Sequence, residues 1–516
     1  MRPHVIGREM EENFDAADLK QIRLLGLTEE DVNEQIIRTL QGFPRTPVMA
    51  AARPNDGIRQ VSVRETDRYI GLYENFEGTS TKFVPASGMA SRMFSRLYEY
   101  LNDPDPDVNP FGEPLVRFPF ATILGVEFLR RGVKVADLES AHNYVPIIRE
   151  LLDKNKMGYG DLPKLLLPFH RLPNGTVRTP LEEHLVEAAQ YTKGRGGEAC
   201  VHFTITPSCG PRILGHFDKV KPLLEKEYNT SFKVKWSSQD RSTDTIALTL
   251  DGKPYRDAKG RLLFRPAGHG ALLSNLQDTD QDIIFIKNVD NVAPDHLKPE
   301  MVRYKRVLAG ILIELREQIY GFMRQLDSGH PTEADCERML EFCRKELFMR
   351  LPTGVKDAPF ESKVAYLRNK LNRPLRVCGV VQNMGEPGGG PYWVRERDGG
   401  ESLQIVETSQ MDVDVPRVID ILKKAKYFNP VDIVCCIRNY RGVKFALADY
   451  VNPSAGFIVR KDAGGVPVQS VELPGLWNGA MANWNTVFVE VPAITFTPVK
   501  ELEDLARPEH QPESAS

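Results

Sequence analysis

Residues 264–291 decide how the rest of the chain is interpreted, and they read FRPAGHGALLSNLQDTDQDIIFIKNVDN. The stretch contains a Gly-His-Gly loop, a segment at Ala271–Gln277 whose pattern predicts a short amphipathic helix, and an apolar run at Ile283–Ile286. Such a run of β-branched and aromatic residues predicts a strand buried on both faces, as in a parallel sheet. Ligands of open α/β sheets bind just past the carboxyl ends of these strands. Asp290 is therefore expected where a divalent cation and a phosphate could meet.

The rest of the chain alternates between strand-like and helix-like patterns. The strand patterns lie at Phe83–Ala86, Leu162–Pro168, Ala199–Thr206, Val377–Gln382, Leu403–Glu407, Asp432–Cys436 and Thr486–Val491. The helix patterns lie at Ala16–Leu25, Glu29–Leu40, Ser91–Leu101, Thr179–Tyr191, Val302–Leu326 and Thr332–Met349. Between them, Phe232–Arg265 is typical of a β-hairpin region that turns at Asp251-Gly252. The alternation predicts an α/β core with helical insertions.

The patterns also divide the chain into regions. We expect an N-terminal helical region at residues 1–75 and a core at 80–505, with helical insertions at about 100–160 and 300–370. Residues 506–516 are polar and terminal, and we expect a disordered tail there.

Charge and cysteine usage exclude several classes of protein. The formal charge of the 516-residue chain is −3 and its pI is about 6.4, so neither nucleic acid nor an anionic membrane is an expected partner. The N-terminal residues lack the apolar core of a secretory signal. Seven cysteines, an odd number with no Cys-x-x-Cys pair, are typical of a reducing interior. A soluble cytoplasmic protein is expected.

Two stretches carry residues suited to binding phosphate. The loop Ala86–Met93 is rich in small residues that let backbone amides approach an anion, and it contains Arg92. It is not a P-loop, because the Gly-Lys-Ser/Thr ending is missing. A turn formed only for packing fits the same residues. Lys164, in an apolar segment, either extends its amine to the surface or neutralises a phosphate.

Each of the other candidate residues has both a functional interpretation and a purely structural one. His269 is either a hydrogen-bond donor to a nucleobase or phosphate, or a surface residue of a turn. Asp290-Asn291 is either a metal site or a strand-end turn, which both residue types favour. The Gly/Pro-rich loop at Gly385–Trp393 is either a long connection or an aromatic platform for a sugar, whose hydroxyls Glu386 or Glu407 would bind.

Taken in order, seven short motifs resemble the UDP-sugar pyrophosphorylases, a branch of the sugar nucleotidyltransferases, and the glucose and N-acetylglucosamine enzymes in particular. The motifs are Ser87–Met93, Pro163-Lys164, Trp236–Gln239, Gly268–Gly270, Ile284–Asn291, Ile405–Ser409 and Phe496–Lys500. The resemblance covers about residues 80–505 and is consistent with a bacterial side branch of that family.

The resemblance implies a Rossmann-like nucleotidyltransferase fold of the GT-A type, with a mixed, mostly parallel sheet and helical insertions. It implies transfer of a nucleotidyl group from an NTP, with a preference for UTP, to a sugar-1-phosphate, giving an NDP-sugar and pyrophosphate with Mg²⁺ as cofactor. The residues it implies are Arg92, Lys164 and Lys500 for catalysis; Ser87, Gly88, Gln239, Gly268 and His269 for the nucleotide; Asn288 and Glu407 for the sugar; and Asp290 for the metal.

The sequence also departs from the family pattern. Ser87 precedes Gly88 where the family has a pair of glycines, and a long helical stretch separates this loop from Pro163-Lys164. Two alternatives therefore stay open. One is a metal-dependent glycosyltransferase with an Asp-x-Asp pair, for which Asp278–Asp280 and Asp412–Asp414 are candidates. The other is a non-catalytic module that binds a nucleotide or a sugar.

Overall fold

The computed structural model describes residues 14–385 and 388–512. The α-helices in these residues are α1 Ala16–Leu24, α2 Glu29–Gln41, α3 Val63–Glu74, α4 Ser95–Asn102, α5 Ala121–Leu129, α6 Val135–Ser140, α7 Val145–Leu152, α8 Pro180–Tyr191, α9 Gly210–Tyr228, α10 Leu273–Gln277, α11 Lys298–Asp327, α12 Glu333–Lys345, α13 Phe360–Leu371 and α14 Pro416–Lys424. The strands are β1 Val48–Ala51, β2 Arg53–Pro54, β3 Gly57–Arg59, β4 Ser80–Pro85, β5 His170–Arg171, β6 Val177–Arg178, β7 Glu198–Thr204, β8 Ser231–Ser237, β9 Thr245–Ile246, β10 Leu248–Thr249, β11 Phe264–Arg265, β12 Ile283–Ile286, β13 Leu375–Gln382, β14 Gly390–Arg395, β15 Glu401–Val406, β16 Tyr427–Cys436, β17 Phe457–Asp462, β18 Pro467–Glu472 and β19 Asn485–Glu490.

A nine-stranded mixed sheet organises the molecule, in the order β2-β3-β19-β13-β16-β12-β4-β7-β8. Strand β16 runs antiparallel to both of its neighbours, β12 and β13. The other pairs, from β12 through β4 and β7 to β8 and from β13 through β19 and β3 to β2, are parallel. The expected mixed, mostly parallel α/β sheet is therefore present.

Strand β12 is buried on both faces, as its apolar run predicts. Ile283 and Phe285 pack into the core beneath α11, whereas Ile284 and Ile286 pack into a second core on the opposite face. Successive side chains of a strand point to opposite faces, so a strand covered on both sides needs apolar residues at every position. The strand ends at Ile286, where the polar residues begin.

Capping residues in the sequence fix where several helices begin. Thr28, Thr179 and Thr332 are the N-caps of α2, α8 and α12, and each forms a capping box with the acidic residue three positions later. This reciprocal pair of bonds satisfies backbone N–H groups that a helix start otherwise leaves unpaired. The helices predicted at these positions are confirmed to within a few residues.

Two local expectations were wrong, and a third was correct only in part. Leu162–Pro168 forms a short 3₁₀ turn at Lys164–Leu166 instead of a strand. Residues 1–75 are not all helical where they are described, because β1 pairs with β14 and β3 adds to the edge of the large sheet. Strand β8, at the start of the expected hairpin region, belongs to the large sheet, while Gly252 does form a turn, with a φ of 91°.

The expected disordered tail is ordered through residue 512, and residues 513–516 lie outside the described part. His510 is 2% exposed, and the Gln511 amide donates to the backbone carbonyls of Arg117 and Leu505. Residues 499–506 share an apolar core with the helical insertion that contains α4 to α7. The C-terminal segment is therefore held against that insertion.

Six of the seven cysteines are buried and all seven are free thiols. Across residues 14–385 and 388–512, none of the helices combines the length and the apolar character needed to cross a membrane.

Candidate active site

The sheet has a topological switch point between β4 and β12. These strands are parallel neighbours, but the chain leaves β4 towards β7 and β8 on one side and returns to β12 on the other. Loops that diverge from such a point leave a crevice outside the carboxyl ends of the strands. The loop after β4 begins with Ser87 and Gly88, and the segment after β12 contains Asn288 and Asp290. Sequence-predicted residues from two motifs therefore meet at one edge.

Lys164 connects this edge to two further segments. Its Nζ donates to Asp290 Oδ2 at 2.9 Å and to the Val499 carbonyl at 2.9 Å. Its backbone N–H donates to the Gly88 carbonyl at 3.1 Å. We call Gly88, Lys164, Asp290 and Val499 the Asp290 cluster. The side chains of Lys164 and Asp290 are 13% and 21% exposed, so both can be reached by a ligand.

The C-terminal segment pairs with the segment after β12 through its backbone. The Val499 N–H donates to the Asp290 carbonyl at 2.9 Å, and the Thr497 N–H donates to Asn291 Oδ1 at 3.2 Å. Lys500 follows directly, with its Nζ 5.9 Å from the centre of the Phe496 ring. The structure thus brings the predicted lysine of the last motif to the segment that carries the predicted metal ligand.

The loop after β4 is exposed. Ser87, Gly88 and Arg92 are all on the surface, and Arg92 ends a 3₁₀ turn at Ala90–Arg92 instead of entering the predicted helix directly. The Ser87 carbonyl accepts a bond of 3.0 Å from the hydroxyl of Thr206, which follows β7. The loop is thereby fixed to the neighbouring strand while its outer surface stays accessible.

Gln239 lies just past the carboxyl end of β8, on the same side as the loop after β4. Its amide donates to the Thr243 hydroxyl at 3.0 Å. The buried Asn275 of α10 donates to the Ser237 hydroxyl and to the Ser238 carbonyl, both at 2.9 Å. Because α10 follows the Gly-His-Gly loop, these bonds tie the Gln239 loop to the segment that carries His269.

Gly268 has a backbone conformation that other residues rarely adopt. Its φ is 79°, and a Cβ there would lie 2.7 Å from Glu472 Oε2. Glycine adopts this left-handed conformation without the steric cost that other residues meet. The glycine that opens the Gly-His-Gly loop is therefore required by the backbone itself.

His269 stacks on Trp477, with ring centres 4.1 Å apart and planes inclined by 14°. The Leu476 N–H donates to His269 Nδ1 at 2.9 Å, and burial lowers the pKa of His269 to about 4. The ring is therefore neutral near pH 7 with its proton on Nε2, because Nδ1 acts as an acceptor. His269 thus carries a neutral N–H donor at Nε2.

Glu407 lies next to this stack. Asn478, the residue after Trp477, donates to Glu407 Oε1 at 2.7 Å. We call His269, Trp477, Asn478 and Glu407 the His269 cluster. Glu386, the alternative carboxylate of the sequence analysis, lies outside the described residues.

The two clusters are connected along the sheet edge. Strand β16 is antiparallel to β12, so the start of β16 lies at the same edge as the end of β12, near Asn288. Asn429 of β16 donates its backbone N–H to the Gly389 carbonyl at 2.9 Å. A Cβ at Gly389 would lie 3.6 Å from Glu407 Cγ and 3.6 Å from Asn478 Oδ1. Asn288, which is half-buried, lies at the end of β12 on this edge of the sheet.

Sequence reasoning missed Trp477 and Asn478, although an aromatic-Asn pair after Pro474-Gly475 was visible. It also missed His184 and Glu187, both fully buried on α8. The available signal was a set of ionisable residues, Glu183, His184 and Glu187, among the apolar residues of this helix.

The Asp290 cluster offers a single carboxylate as a metal ligand. Within residues 14–385 and 388–512 there is no group of three or more His, Cys, Asp or Glu side chains that could hold a metal. Mg²⁺ usually keeps several waters and binds through one or two carboxylates together with substrate phosphates. A single accessible carboxylate beside a lysine fits that mode, and it does not fit a cage built from protein ligands alone.

The Asp-x-Asp candidates lie elsewhere. Asp280 precedes β12, at the end of the strand opposite to Asp290, and pairs with Lys444 at 2.7 Å. Asp412 and Asp414 are exposed between β15 and α14. Asp280 therefore lies away from the switch point, at the other end of β12.

These observations define a mixed α/β protein whose sheet has a switch point where charged and polar residues converge. A sequence family described as "Domain of unknown function (DUF4301)" matches residues 15–511, and the chain belongs to this family. No curated protein matches the sequence.

Among solved structures, the chain is similar to a UDP-glucose pyrophosphorylase variant from Leishmania major in complex with UDP-glucose, at 12% identity and a TM-score of 0.45, over 96% of this chain and 79% of that one. It is similar to a UDP-N-acetylglucosamine pyrophosphorylase from Trypanosoma brucei in complex with an inhibitor, at 12% identity and a TM-score of 0.47, over 98% and 81%. A UDP-glucose phosphorylase from Trypanosoma brucei matches at 13% identity and a TM-score of 0.43, over 95% and 77%. At this level of similarity, activity has to be judged from the residues of this chain.

Proposed function

We propose that the protein is a sugar-1-phosphate nucleotidyltransferase that uses an NTP, with UTP as the first choice, and releases pyrophosphate. The observation that carries the proposal is the Asp290 cluster, where four separate segments converge at the switch point. Two of the segments supply lysines and one supplies an acidic residue. Phosphoryl and nucleotidyl transfer depend mainly on positioning and on neutralising charge, which these residue types provide.

In this proposal the phosphates lie over the carboxyl ends of β4 and β12. Backbone N–H groups at Ser87 and Gly88, with the exposed Arg92, bind the β- and γ-phosphates. Lys164 and Lys500 approach the α-phosphate from the segments that flank Asp290. The sugar phosphate oxygen attacks the α-phosphorus in line, its bond to phosphorus forms as the bond to pyrophosphate breaks, and the lysines stabilise the charge that develops on the α-phosphate.

Asp290 is the residue that would hold Mg²⁺. When bound, the ion would neutralise charge on the triphosphate and on the departing pyrophosphate. In the free protein Lys164 occupies one oxygen of this carboxylate. A bound triphosphate offers Lys164 an alternative anionic partner, which would release that oxygen.

The nucleoside and the sugar are assigned to residues other than the two lysines and Asp290. Gln239, Gly268 and His269 would bind the base, since the amide and the imidazole Nε2–H are uncharged donors. Asn288 and Glu407 would bind sugar hydroxyls, with Glu407 oriented by Asn478.

A pyrophosphate-release assay over a matrix of NTPs and sugar-1-phosphates tests the proposal. We expect release with at least one pair and a requirement for Mg²⁺. Binding of an NTP, measured by calorimetry, without release from any pair would reject the enzyme and favour the non-catalytic binding module.

A further inference from the structure

Helix α8 presents polar side chains to the sheet at the switch point. His184 and Glu187 lie on this helix one turn apart, and both are 0% exposed. Burying an ionisable group costs free energy unless it finds partners. The partners of these two residues belong to β4, to α8 itself and to the segment 287–293, which carries Asn288 and Asp290.

Glu187 holds both ends of the segment 287–293. Its Oε1 accepts from Lys287 Nζ at 2.8 Å and, more weakly, from the Ala293 N–H at 3.5 Å. Burial alone would raise the pKa of Glu187, but Lys287 and Lys82 outweigh it and hold that pKa well below its ordinary value. Glu187 is therefore ionised, and its bond to Lys287 is charge-assisted.

His184 holds the middle of the same segment. Its Nε2 lies 3.1 Å from the Val289 carbonyl, the residue immediately before Asp290. Burial lowers the pKa of His184 well below its ordinary value, so the ring is neutral. A carbonyl only accepts hydrogen bonds, which places the proton on Nε2.

The second oxygen of Glu187 binds side chains outside the segment 287–293. Glu187 Oε2 accepts from Lys82 Nζ of β4 at 2.6 Å and from the Tyr191 hydroxyl at 3.3 Å. One carboxylate thus joins a side chain of β4 to the side chain of Lys287, the residue that follows β12. Well-packed apolar residues would cover the sheet at equal or lower cost than buried charges, so the bonds to the segment are the feature that needs an explanation.

We propose that Glu187 and His184 are positioning residues that fix the segment 287–293 so that Asp290 faces the triphosphate and its metal. The inference rests on the proposed function, because it assigns a role in the same site. Neither residue touches the substrate. Both act through the backbone and through Lys287.

Three variants and one matched control test the inference. Glu187→Gln keeps the shape and removes the charge, His184→Phe removes the donor, and His184→Gln restores an N–H donor. Tyr191→Phe is the control, since it removes a bond to Glu187 that does not involve the segment 287–293. Two measurements are made on each protein: amide hydrogen exchange of residues 287–293, and the Mg²⁺ dependence of pyrophosphate release.

For Glu187→Gln and His184→Phe we expect faster exchange in this segment and a half-saturating Mg²⁺ concentration raised at least about tenfold, the scale seen when residues that support metal ligands are replaced. His184→Gln should recover most of the loss, and Tyr191→Phe should match wild type. If Glu187→Gln fails to fold, the two His184 variants still decide.

Two results would overturn the inference alone: wild-type exchange in the variants, or faster exchange with an unchanged Mg²⁺ dependence. A wild-type protein that releases no pyrophosphate from any substrate pair overturns the proposed function and this inference together, before any variant is compared.

Discussion

The Asp290 cluster and the His269 cluster are built in different ways. In the first, backbone bonds join the four segments in pairs, the Lys164 side chain links the two pairs, and the side chains are charged. The second is assembled by ring stacking and side-chain bonds, and its donors are neutral. The difference matches two tasks: polyphosphate requires fixed charge, whereas a base and a sugar require flat surfaces and directional hydrogen bonds. Substitutions in the two clusters should therefore change different kinetic parameters.

The largest effect is expected for Lys164→Met, which keeps the apolar stem and removes the charge. Loss of one preorganised donor to the transition state should lower kcat/KM by about 10²–10³-fold. Steady-state assays of pyrophosphate release measure the change in kcat/KM. Lys193→Met is the control, because Lys193 donates to the Asn229 carbonyl away from the switch point. Equal activity of the two variants would remove Lys164 from the mechanism.

The second prediction concerns Asp290→Asn. Without the carboxylate we expect a loss of about tenfold or more in kcat/KM and a much weaker response to Mg²⁺, since the amide is a poor ligand for this hard cation. A Mg²⁺ titration of initial rates measures both. Asp280→Asn, at the opposite end of β12, should behave like wild type. The reverse result would favour the Asp-x-Asp alternative.

A smaller and more selective effect is expected for Glu407→Gln in the His269 cluster. A hydrogen bond to a charged group contributes about 1.5–3 kcal/mol, so the KM for the sugar phosphate should rise about tenfold or more. The KM for the NTP should change little. Glu198→Gln, which breaks a surface pair with Lys233, is the matched control. Equal rises in both KM values would contradict a role at the sugar.

The smallest effect is a pH dependence of stability from His269. Its pKa is about 4 in the folded protein, below the ordinary 6.5 that applies on unfolding. As pH falls from about 6.5 to 4, the unfolded chain takes up a proton that the folded ring does not, so stability is lost in this window and is fully present above it. Thermal unfolding from pH 7.5 to 4 should show a shallower decline for His269→Gln. Parallel curves for wild type and His269→Gln would contradict the assignment of His269 as a neutral donor.

Much of the local structure could be predicted from the sequence because it depends on neighbouring residues. The apolar run that forms β12 and the capping residue Thr179 are examples. At Leu162–Pro168 the structure has a 3₁₀ turn in place of the expected strand, and Lys164 in that turn bonds to Asp290, a contact that a local pattern does not show. The prediction of a disordered tail failed because His510 has a buried partner: His170 Nε2 and His510 Nδ1 lie 2.9 Å apart. Composition does not reveal such a contact.

The sequence by itself determined the alternation of strands and helices, the polar end of β12 and the order of the motifs. Only the tertiary structure decided that Lys164 meets Asp290, 126 positions away, and Val499, 335 positions away. It also decided that Glu187 and His184 serve the segment that carries Asp290. Periodicity and capping are set by residues within one element, whereas these contacts depend on how the sheet orders its strands, and a local pattern carries no record of that order.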